Sequence, residues 1–335
     1  MKSIVARSPT RVDLAGGTLD LWPLYAIAGG ATTVNVAISV WTEVSMAPAP
    51  GLQLYSLDLN REWKFKDLGE LASQEGDHQL KLFRELLLHF PELKDCRITT
   101  RSESPVGGGI GGSSSLTISC LKAIHQWLGR KLPSPNDLVH FAHNVEARIL
   151  RTPTGTQDYF PAVSGGLNIL DYSDYGVRQT VLSLRDTPLA SHALVVNTGR
   201  SHNSGLNNFD VFTRVIKGEE KVMAALNEIR RVAAETRRVC VTQEWQRLPD
   251  LFRQETAARL QLTPLFSSPE IQRLEKSVLE EGASAIKICG AGGGGCVLTW
   301  VNPQYRERVM RRCQDEGFQL LNADPVEPLD SYANG

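Results

Sequence analysis

The 335-residue sequence lacks any long run of one charge. Its 36 Lys and Arg residues are balanced by 37 Asp and Glu residues. A protein that binds nucleic acid or an anionic membrane through its overall charge needs a basic surplus or a basic patch. Because the sequence shows neither, we expect no nucleic-acid partner and no membrane partner, and any anionic ligand must be bound by local groups.

The sequence also lacks an apolar stretch long enough to cross a bilayer. Its opening segment, MKSIVARSPTRVD, reaches charged residues before the apolar centre of a signal peptide could form. The six cysteines are scattered without a CxxC pair, which is typical of reduced thiols rather than of a disulfide framework. We therefore expect a cytoplasmic protein.

The sequence does contain enough apolar residues, 41%, to form packed cores. Chains longer than about 250 to 300 residues tend to split into domains, so we predict two. Periodicity predicts mixed α and β structure. The predicted strands lie within 4–55, at CRITTRSES, over 189–197 and at SAIKICG and GCVLTWV. The predicted helices cover 78–90, the segment from SSSL to about 129, 136–151, 211–238, 243–260 and 269–282.

The most informative stretch is PVGGGIGGSSSL, residues 105–116, which lies between a predicted strand and a predicted helix. Glycines let backbone amides approach an anion closely, and a helix N-terminus adds a favourable dipole. Phosphate is the natural ligand of such a loop. A plain glycine turn with serine caps is the alternative. The Walker ending GK[ST] is absent, so a P-loop lysine mechanism does not apply.

Two acidic residues downstream are candidates for the chemistry of phosphoryl transfer, which uses an oxygen ligand for Mg²⁺ and a carboxylate near the attacking hydroxyl. Glu146 lies on the predicted helix 136–151, and Asp158 follows TPTGTQ in a loop. Taken alone, Glu146 could be a solvated helix residue and Asp158 a turn cap. A zinc site from His140, His143 and Glu146 is disfavoured because residues three apart drift around a helix.

Three motifs in order resemble the GHMP kinases, the small-molecule kinase family of galactokinase, homoserine kinase, mevalonate kinase and phosphomevalonate kinase. They are SPTRVDLAGGTLDLW (8–22), PVGGGIGGSSSL (105–116) and KICGAGGGGCVL (287–298). The resemblance implies an α+β, two-domain fold. Residues 1–182 would form a β-rich α/β domain with the glycine phosphate loop, and residues 183–335 a ferredoxin-like domain.

The resemblance also implies a bound ATP, a Mg²⁺ ion and a set of site residues. Asp158 would be the catalytic aspartate, with Arg11 beside it to keep it ionised and to stabilise charge in the transition state. Ser113 and Glu146 would be the metal ligands. The implied nucleotide-binding residues are Pro105, Gly107, Gly108, Gly109, Gly111, Gly112, Ser113 and Ser114. The implied or proposed acceptor-binding residues are Gly16, Gly17, Asp20, Arg200, His202 and Gly292.

The acceptor is expected to be a small sugar or sugar phosphate. AGGTLDL, GTQD and SGGLNIL are similar to the branch that phosphorylates heptose phosphates, whereas the galactokinase-type GEHTD is missing. Alternatives on the same fold are a mevalonate-type kinase, an ATP-dependent decarboxylase, and a non-catalytic ATP or sugar sensor. Gly112 stands where many relatives have a serine. Monomer and homodimer both remain open.

Overall fold

The computed structural model describes residues 3–74, 76–201 and 204–329, with the backbone alone for 204–207. The strands in this part are β1 (Ile4–Ala15), β2 (Ala31–Pro48), β3 (Leu52–Ser56), β4 (Arg61–Phe65), β5 (Cys96–Ser102), β6 (Leu167–Ser173), β7 (Gly176–Leu182), β8 (Ala193–Asn197), β9 (Ala283–Ile288), β10 (Cys296–Val301) and β11 (Gln319–Leu321). The helices are α1 (Leu24–Ile27), α2 (Leu68–Ala72), α3 (Lys81–Leu87), α4 (Gly112–Trp127), α5 (Pro135–Leu150), α6 (Tyr159–Ser164), α7 (Leu189–His192), α8 (Ser204–Ile216), α9 (Glu220–Thr242), α10 (Leu248–Leu262), α11 (Pro269–Glu280) and α12 (Arg306–Asp315).

The first sheet is built around the long strand β2. β1 pairs antiparallel along one edge of β2, while β5 and β6 share its other edge at opposite ends. The sheet has seven strands, and β3 pairs parallel with β5 within it. The free edge of β1 is partly used by the glycine loop, because the Arg11 amide donates to the carbonyl of Ile110 at 3.0 Å. This edge therefore places the first motif (8–22) beside the glycine loop of the second motif (105–116).

The second sheet has four strands in the order β11-β8-β10-β9, and all of its pairs are antiparallel. Apolar residues of α11 and α12 pack on one side of it, among them Leu274, Val278 and Val309. The predicted α+β, two-domain architecture is thus confirmed. The predicted division between residues 182 and 183 stays a prediction.

One apolar core joins the two sheets. Val34 and Leu167 of the first sheet belong to the same buried cluster as Val195 and Leu298 of the second sheet. Val232, on the long helix α9, completes this contact and is fully buried. Because buried apolar surface is the main source of folding free energy, this shared core fixes the two sheets relative to each other.

Residues 324–329 form a segment that we call the strap. It runs back from the second sheet to the first. The Ser39 amide donates to the Asp324 carbonyl at 2.7 Å, and the Val326 amide donates to the Ala37 carbonyl at 2.9 Å. Two further bonds of 2.8 Å join Val326 to Gly166 and Leu329 to Ser164, at the end of α6. The strap thus supports the helix that follows Asp158.

Some predicted elements differ from those observed. The helix predicted over 211–238 is two helices, α8 and α9, because Gly218 adopts a φ of +71° between them, the conformation that ends helices at glycine. The strand predicted over 189–197 begins with the helical turn α7 and is extended only from Ala193. Helix α10 begins at Leu248, later than predicted, after a short 3₁₀ turn. Each described helix is too short or too polar to span a bilayer.

Candidate active site

A cavity of about 450 Å³ lies where the N-terminal motif, the glycine loop and the carboxylate-bearing helices meet. Twelve of the predicted site residues line it, namely Arg11, Asp20, Pro105, Gly107, Gly108, Gly109, Gly111, Gly112, Ser113, Ser114, Glu146 and Asp158. They come from three segments of the chain, and the first and last of these residues, Arg11 and Asp158, are 147 positions apart. The fold therefore gathers the predicted nucleotide, metal and catalytic groups around one space.

The glycine loop takes backbone conformations that side chains would prevent. Gly107, Gly109 and Gly111 have φ values of +66°, +70° and +77°. A Cβ atom on Gly111 would lie 3.2 Å from Cβ of Asp158. Helix α4 begins directly after this loop, so its free amides and its positive dipole end face the cavity. This cradle suits the phosphates of a nucleotide.

The serines after the loop serve different purposes. Ser113 is exposed at the cavity, whereas Ser115 is buried and donates to the Ser8 carbonyl at 2.9 Å, which fixes α4 to β1. Gly112 has Ser104 beside it. A Cβ at Gly112 would lie 2.5 Å from the Ser104 hydroxyl oxygen. The Ser104 hydroxyl therefore occupies the space that a side chain at 112 would need.

Arg11 connects the predicted catalytic aspartate with the glycine loop. Its side chain is 2% exposed, its Nε donates to Oδ1 of Asp158 at 2.9 Å, and its Nη2 donates to the same oxygen. Its Nη1 donates to the Gly109 carbonyl at 2.7 Å. Burial opposes the charge on Arg11, but Asp158 and then Asp13 offset that cost and raise the pKa of Arg11 above its usual range. Arg11 thus holds Asp158 at a fixed distance from the loop.

Glu146 is the half-buried carboxylate on α5. Burial first, and then the nearby charge of Asp158, raise its pKa to about 7. The hydroxyls of Tyr159 and Thr154 lie close enough to lower this pKa, although neither forms a hydrogen bond of good geometry. A divalent cation would offset the cost of ionising Glu146, so its surroundings fit a metal ligand.

A magnesium site that uses Ser113 and Glu146 would be shared with the nucleotide. Among the described residues no three His, Cys, Asp or Glu side chains are grouped to hold a metal on their own. Mg²⁺ commonly keeps several waters and binds through one or two carboxylates together with substrate phosphates. One hydroxyl and one carboxylate beside a phosphate cradle match this pattern.

Asp20 provides a further carboxylate in the cavity lining, besides Glu146 and Asp158. It lies in the turn of residues 16–20, which we call the acceptor turn. Asp20 is 3% exposed, and its Oδ2 accepts the Gln157 amide at 3.1 Å. Burial raises the pKa of Asp20 to about 6. A Cβ atom on Gly155 would lie 1.8 Å from that oxygen, so only glycine fits at 155 beside it.

The third glycine motif packs against the phosphate loop. The Cys296 amide donates to the Gly108 carbonyl at 2.7 Å, and a Cβ on Gly290 would lie 2.9 Å from the Gly109 carbonyl oxygen. Gly290 and Ala291 line the cavity. Gly292, predicted to bind substrate, is not among the lining residues and packs on Phe266 instead.

Other predicted acceptor residues also lie outside the cavity lining. Gly16 and Gly17 leave room for the Thr32 carbonyl and the Arg259 guanidinium, which a Cβ would approach to 2.1 and 2.5 Å. The Arg200 side chain is half-exposed and pairs with Glu270 at 3.0 Å. His202 lies outside the described residues. The two glycines thus shape the acceptor turn, and Arg200 has a protein partner.

Sequence reasoning missed a set of buried charges behind the site. Asp13, Glu255, Arg259 and Lys287 are each at most 2% exposed and form a connected group. The signal for Asp13 was present, because it lies two residues after Arg11 on a strand and so shares its face. The other three lie in the second half of the chain, where spacing alone does not indicate which charges are buried.

Comparisons with known proteins agree with this geometry. Residues 78–166 match the model of the GHMP kinases N terminal domain, and residues 237–319 match the GHMP kinases C terminal model. A D-glycero-alpha-D-manno-heptose 7-phosphate kinase of Campylobacter jejuni is 23% identical over 329 residues, covering 94% of each chain. A mevalonate kinase of Thermococcus sibiricus is 25% identical over 225 residues, covering 64% of this chain and 62% of its own length.

The solved structures show the same architecture. The mevalonate kinase of Methanococcus jannaschii superimposes with a TM-score of 0.75 at 20% identity, covering 97% of this chain and 98% of its own. The first family model includes the glycine loop, Glu146 and Asp158, and the second includes the third glycine motif. Since these matches span both halves of the fold around the cavity, the chain belongs to the GHMP kinase family.

Proposed function

We propose that this kinase transfers the γ-phosphoryl group of ATP, with Mg²⁺, to a hydroxyl of a small sugar or sugar phosphate, with a heptose 7-phosphate-like acceptor favoured. One observation carries the proposal. A single buried guanidinium, that of Arg11, binds both the carboxylate of Asp158 and the backbone of the phosphate loop. A kinase needs its acceptor-activating group held at a set position relative to the donor phosphate, and this contact supplies that position.

The residues of the cavity have separate roles in this proposal. The amides of the glycine loop and of the α4 N-terminus would bind the ATP phosphates. Ser113 and Glu146 would hold Mg²⁺, which offsets the negative charge of the phosphates when it is bound. Asp158 would orient the acceptor hydroxyl and accept its proton as the oxygen attacks phosphorus. Arg11 would keep that carboxylate in place and stabilise charge on the transferring group.

Two observations favour a polyhydroxylated acceptor. Asp20 presents a carboxylate to the same cavity as Asp158, and a carboxylate oxygen can accept hydrogen bonds from several sugar hydroxyls. The heptose 7-phosphate kinase is 23% identical over 94% of this chain, against 21% over 96% for a mevalonate kinase of Arabidopsis thaliana. A mevalonate-type acceptor is the second candidate, because mevalonate kinases share both the fold and part of the sequence.

The test is ADP formation by the purified protein with ATP, Mg²⁺ and a panel of heptose phosphates, hexoses, hexose phosphates and mevalonate. We expect turnover with a sugar or sugar phosphate. The variant Asp158→Asn retains an oxygen that can accept the Arg11 bonds, so it should fold and bind ATP while kcat falls by about 10² to 10⁴-fold. Turnover with mevalonate alone, or near-normal turnover by Asp158→Asn, would contradict the proposal.

A further inference from the structure

Four buried charges form a continuous ionic chain behind the active site. Nε of Arg259 donates to Oε1 of Glu255 at 2.8 Å, and Nζ of Lys287 lies 3.5 Å from the same oxygen. Nζ of Lys287 also donates to Oδ2 of Asp13 at 2.6 Å. Two cations thus balance two anions, which is the arrangement that makes buried charge tolerable.

The ionic chain has one end at the phosphate loop and the other at the acceptor turn. Oδ1 of Asp13 accepts the amide of Gly290, the residue that packs on Gly109. At the other end, Nη1 of Arg259 donates to the hydroxyl of Thr18 at 3.2 Å. Thr18 lines both the main cavity and a small cavity of about 10 Å³ beside Arg259. Side chains of α10 and β9 therefore connect the phosphate loop with the acceptor turn.

The acceptor turn needs external support at Thr18. Thr18 has a φ of +75°, a conformation that is a genuine outlier for a β-branched residue. The neighbouring Gly17 leaves the Arg259 guanidinium room to approach, because a Cβ there would lie 2.5 Å from Nη2. The guanidinium also lies over the Phe266 ring, 5.0 Å from its centroid. Arg259 is thus held on several sides and is rigid enough to fix the turn.

We infer that Arg259 is a positioning residue for the acceptor: it holds Thr18, and with it the turn that carries Asp20, in the shape that receives the acceptor. This inference rests on the proposed function. The contact comes from the second half of the chain, whereas the Gln157 amide holds Asp20 from the first half. Acceptor recognition therefore depends on a residue that touches neither the nucleotide loop nor Asp158.

The test is a double-mutant cycle with Arg259→Lys and Thr18→Val. Lysine keeps the buried charge but lacks the fork that reaches both Glu255 and Thr18, and valine keeps the shape of threonine without its hydroxyl. Each variant should raise the KM for D-glycero-D-manno-heptose 7-phosphate by about tenfold or more, the effect of one lost hydrogen bond to a charged group. The KM for ATP should change less than about twofold, and the double variant should equal the worse single variant.

The control is Arg231→Lys, which alters an exposed Arg–Glu pair on α9 and should leave both KM values unchanged. Additive effects of the two test variants, or equal rises in the KM for ATP, would overturn the inference, because then Arg259 would not act through Thr18.

A second readout does not require turnover. The amides of Leu19 and Leu21 donate to the carbonyls of Gly16 and Thr18 in the acceptor turn, so hydrogen exchange at these two amides reports the rigidity of the turn. Both variants should speed exchange at residues 16–21 and leave the glycine loop unchanged. If both variants speed exchange at residues 16–21 but the parent protein turns over no sugar substrate, the positioning role is supported and the proposed function is refuted. Unchanged exchange would refute the positioning role whatever the activity.

Discussion

Asp20 is a buried carboxylate, and its burial makes the ionised form unfavourable in the folded protein. Burial is the main cause of its raised pKa, about 6, and the charge of Asp158 adds to it, while the Gln157 amide and Arg11 oppose it. Because the folded state binds the proton more tightly than the unfolded chain, the resulting stabilisation is complete below about pH 4. It is lost as the pH rises through about 6.

We therefore expect Asp20→Asn to be more stable than the parent protein at pH 7.5, by up to about 3 kcal/mol for a shift of roughly two pKa units. The difference should disappear below about pH 4, where the parent carboxyl is neutral in both states. Urea unfolding at the two pH values measures it. The same variant should bind the acceptor more weakly. If Asp20→Asn were instead less stable than the parent protein at pH 7.5, neighbouring groups would offset the cost of burying the Asp20 charge.

At the scale of single residues, the sequence indicated which residues form the site better than it indicated what each of them contacts. Arg11 and Asp158 are distant in the chain, and only the family resemblance indicated that they would meet. The structure shows the contact directly. Gly17 was predicted to bind the acceptor, and this stays a prediction; the structure shows that its lack of a side chain leaves room for Arg259. A one-dimensional pattern shows that a glycine is required, but it does not show which neighbour requires it.

Helix α4 and the loop before it form the element on which nucleotide binding depends. Glycines with positive φ stand at both ends, Gly111 at +77° before the helix and Gly129 at +64° after it. Around Gly129 a Cβ would meet no atom within 4 Å, while at Gly111 it would press on Asp158. A side chain at either position would adopt an unfavourable positive φ. Only a side chain at position 111 would also contact a residue of the site.

This pair provides a matched experiment. Gly111→Ala and Gly129→Ala should each lower the free energy of unfolding by about 1 kcal/mol, the cost of a side chain at positive φ. Only Gly111→Ala should also weaken ATP binding, by roughly tenfold or more, because the Cβ displaces Asp158 or the loop. Calorimetric titration with ATP and Mg²⁺ measures this, and equal affinities of the two variants would contradict the predicted role of the loop.

Elements with strong local signals were predicted well. Helices α4 and α5 begin and end close to their predicted bounds, because α5 has a Ser134 cap with Pro135 in its first turn and α4 follows a glycine loop. The break between α8 and α9 was missed, since the apolar periodicity continues across Gly218 and a single glycine can lie within a helix. The pairing of β2 with β5 and β6 on one edge was not predictable, because strand order depends on contacts far apart in sequence.

At the scale of the whole molecule, the strap should contribute directly to stability. It makes four backbone hydrogen bonds to β2 and to the end of α6. At about 1 kcal/mol for each net bond, removing the chain from residue 324 onward should lower the free energy of unfolding by roughly 4 kcal/mol. Chemical denaturation measures the loss, and an unchanged midpoint would show that the strap is not part of the cooperative unit.

The strap also affects the order in which a newly made chain can finish folding. Arg11, the glycine loop and Asp158 leave the ribosome early, whereas the residues that bond Ser164 and Gly166 are among the last of those described to be synthesised. The two-sheet core and the support under α6 are complete only once residue 329 has emerged. A chain that ends near residue 182 would thus contain all four proposed catalytic and metal side chains but lack the second sheet and the strap that support them.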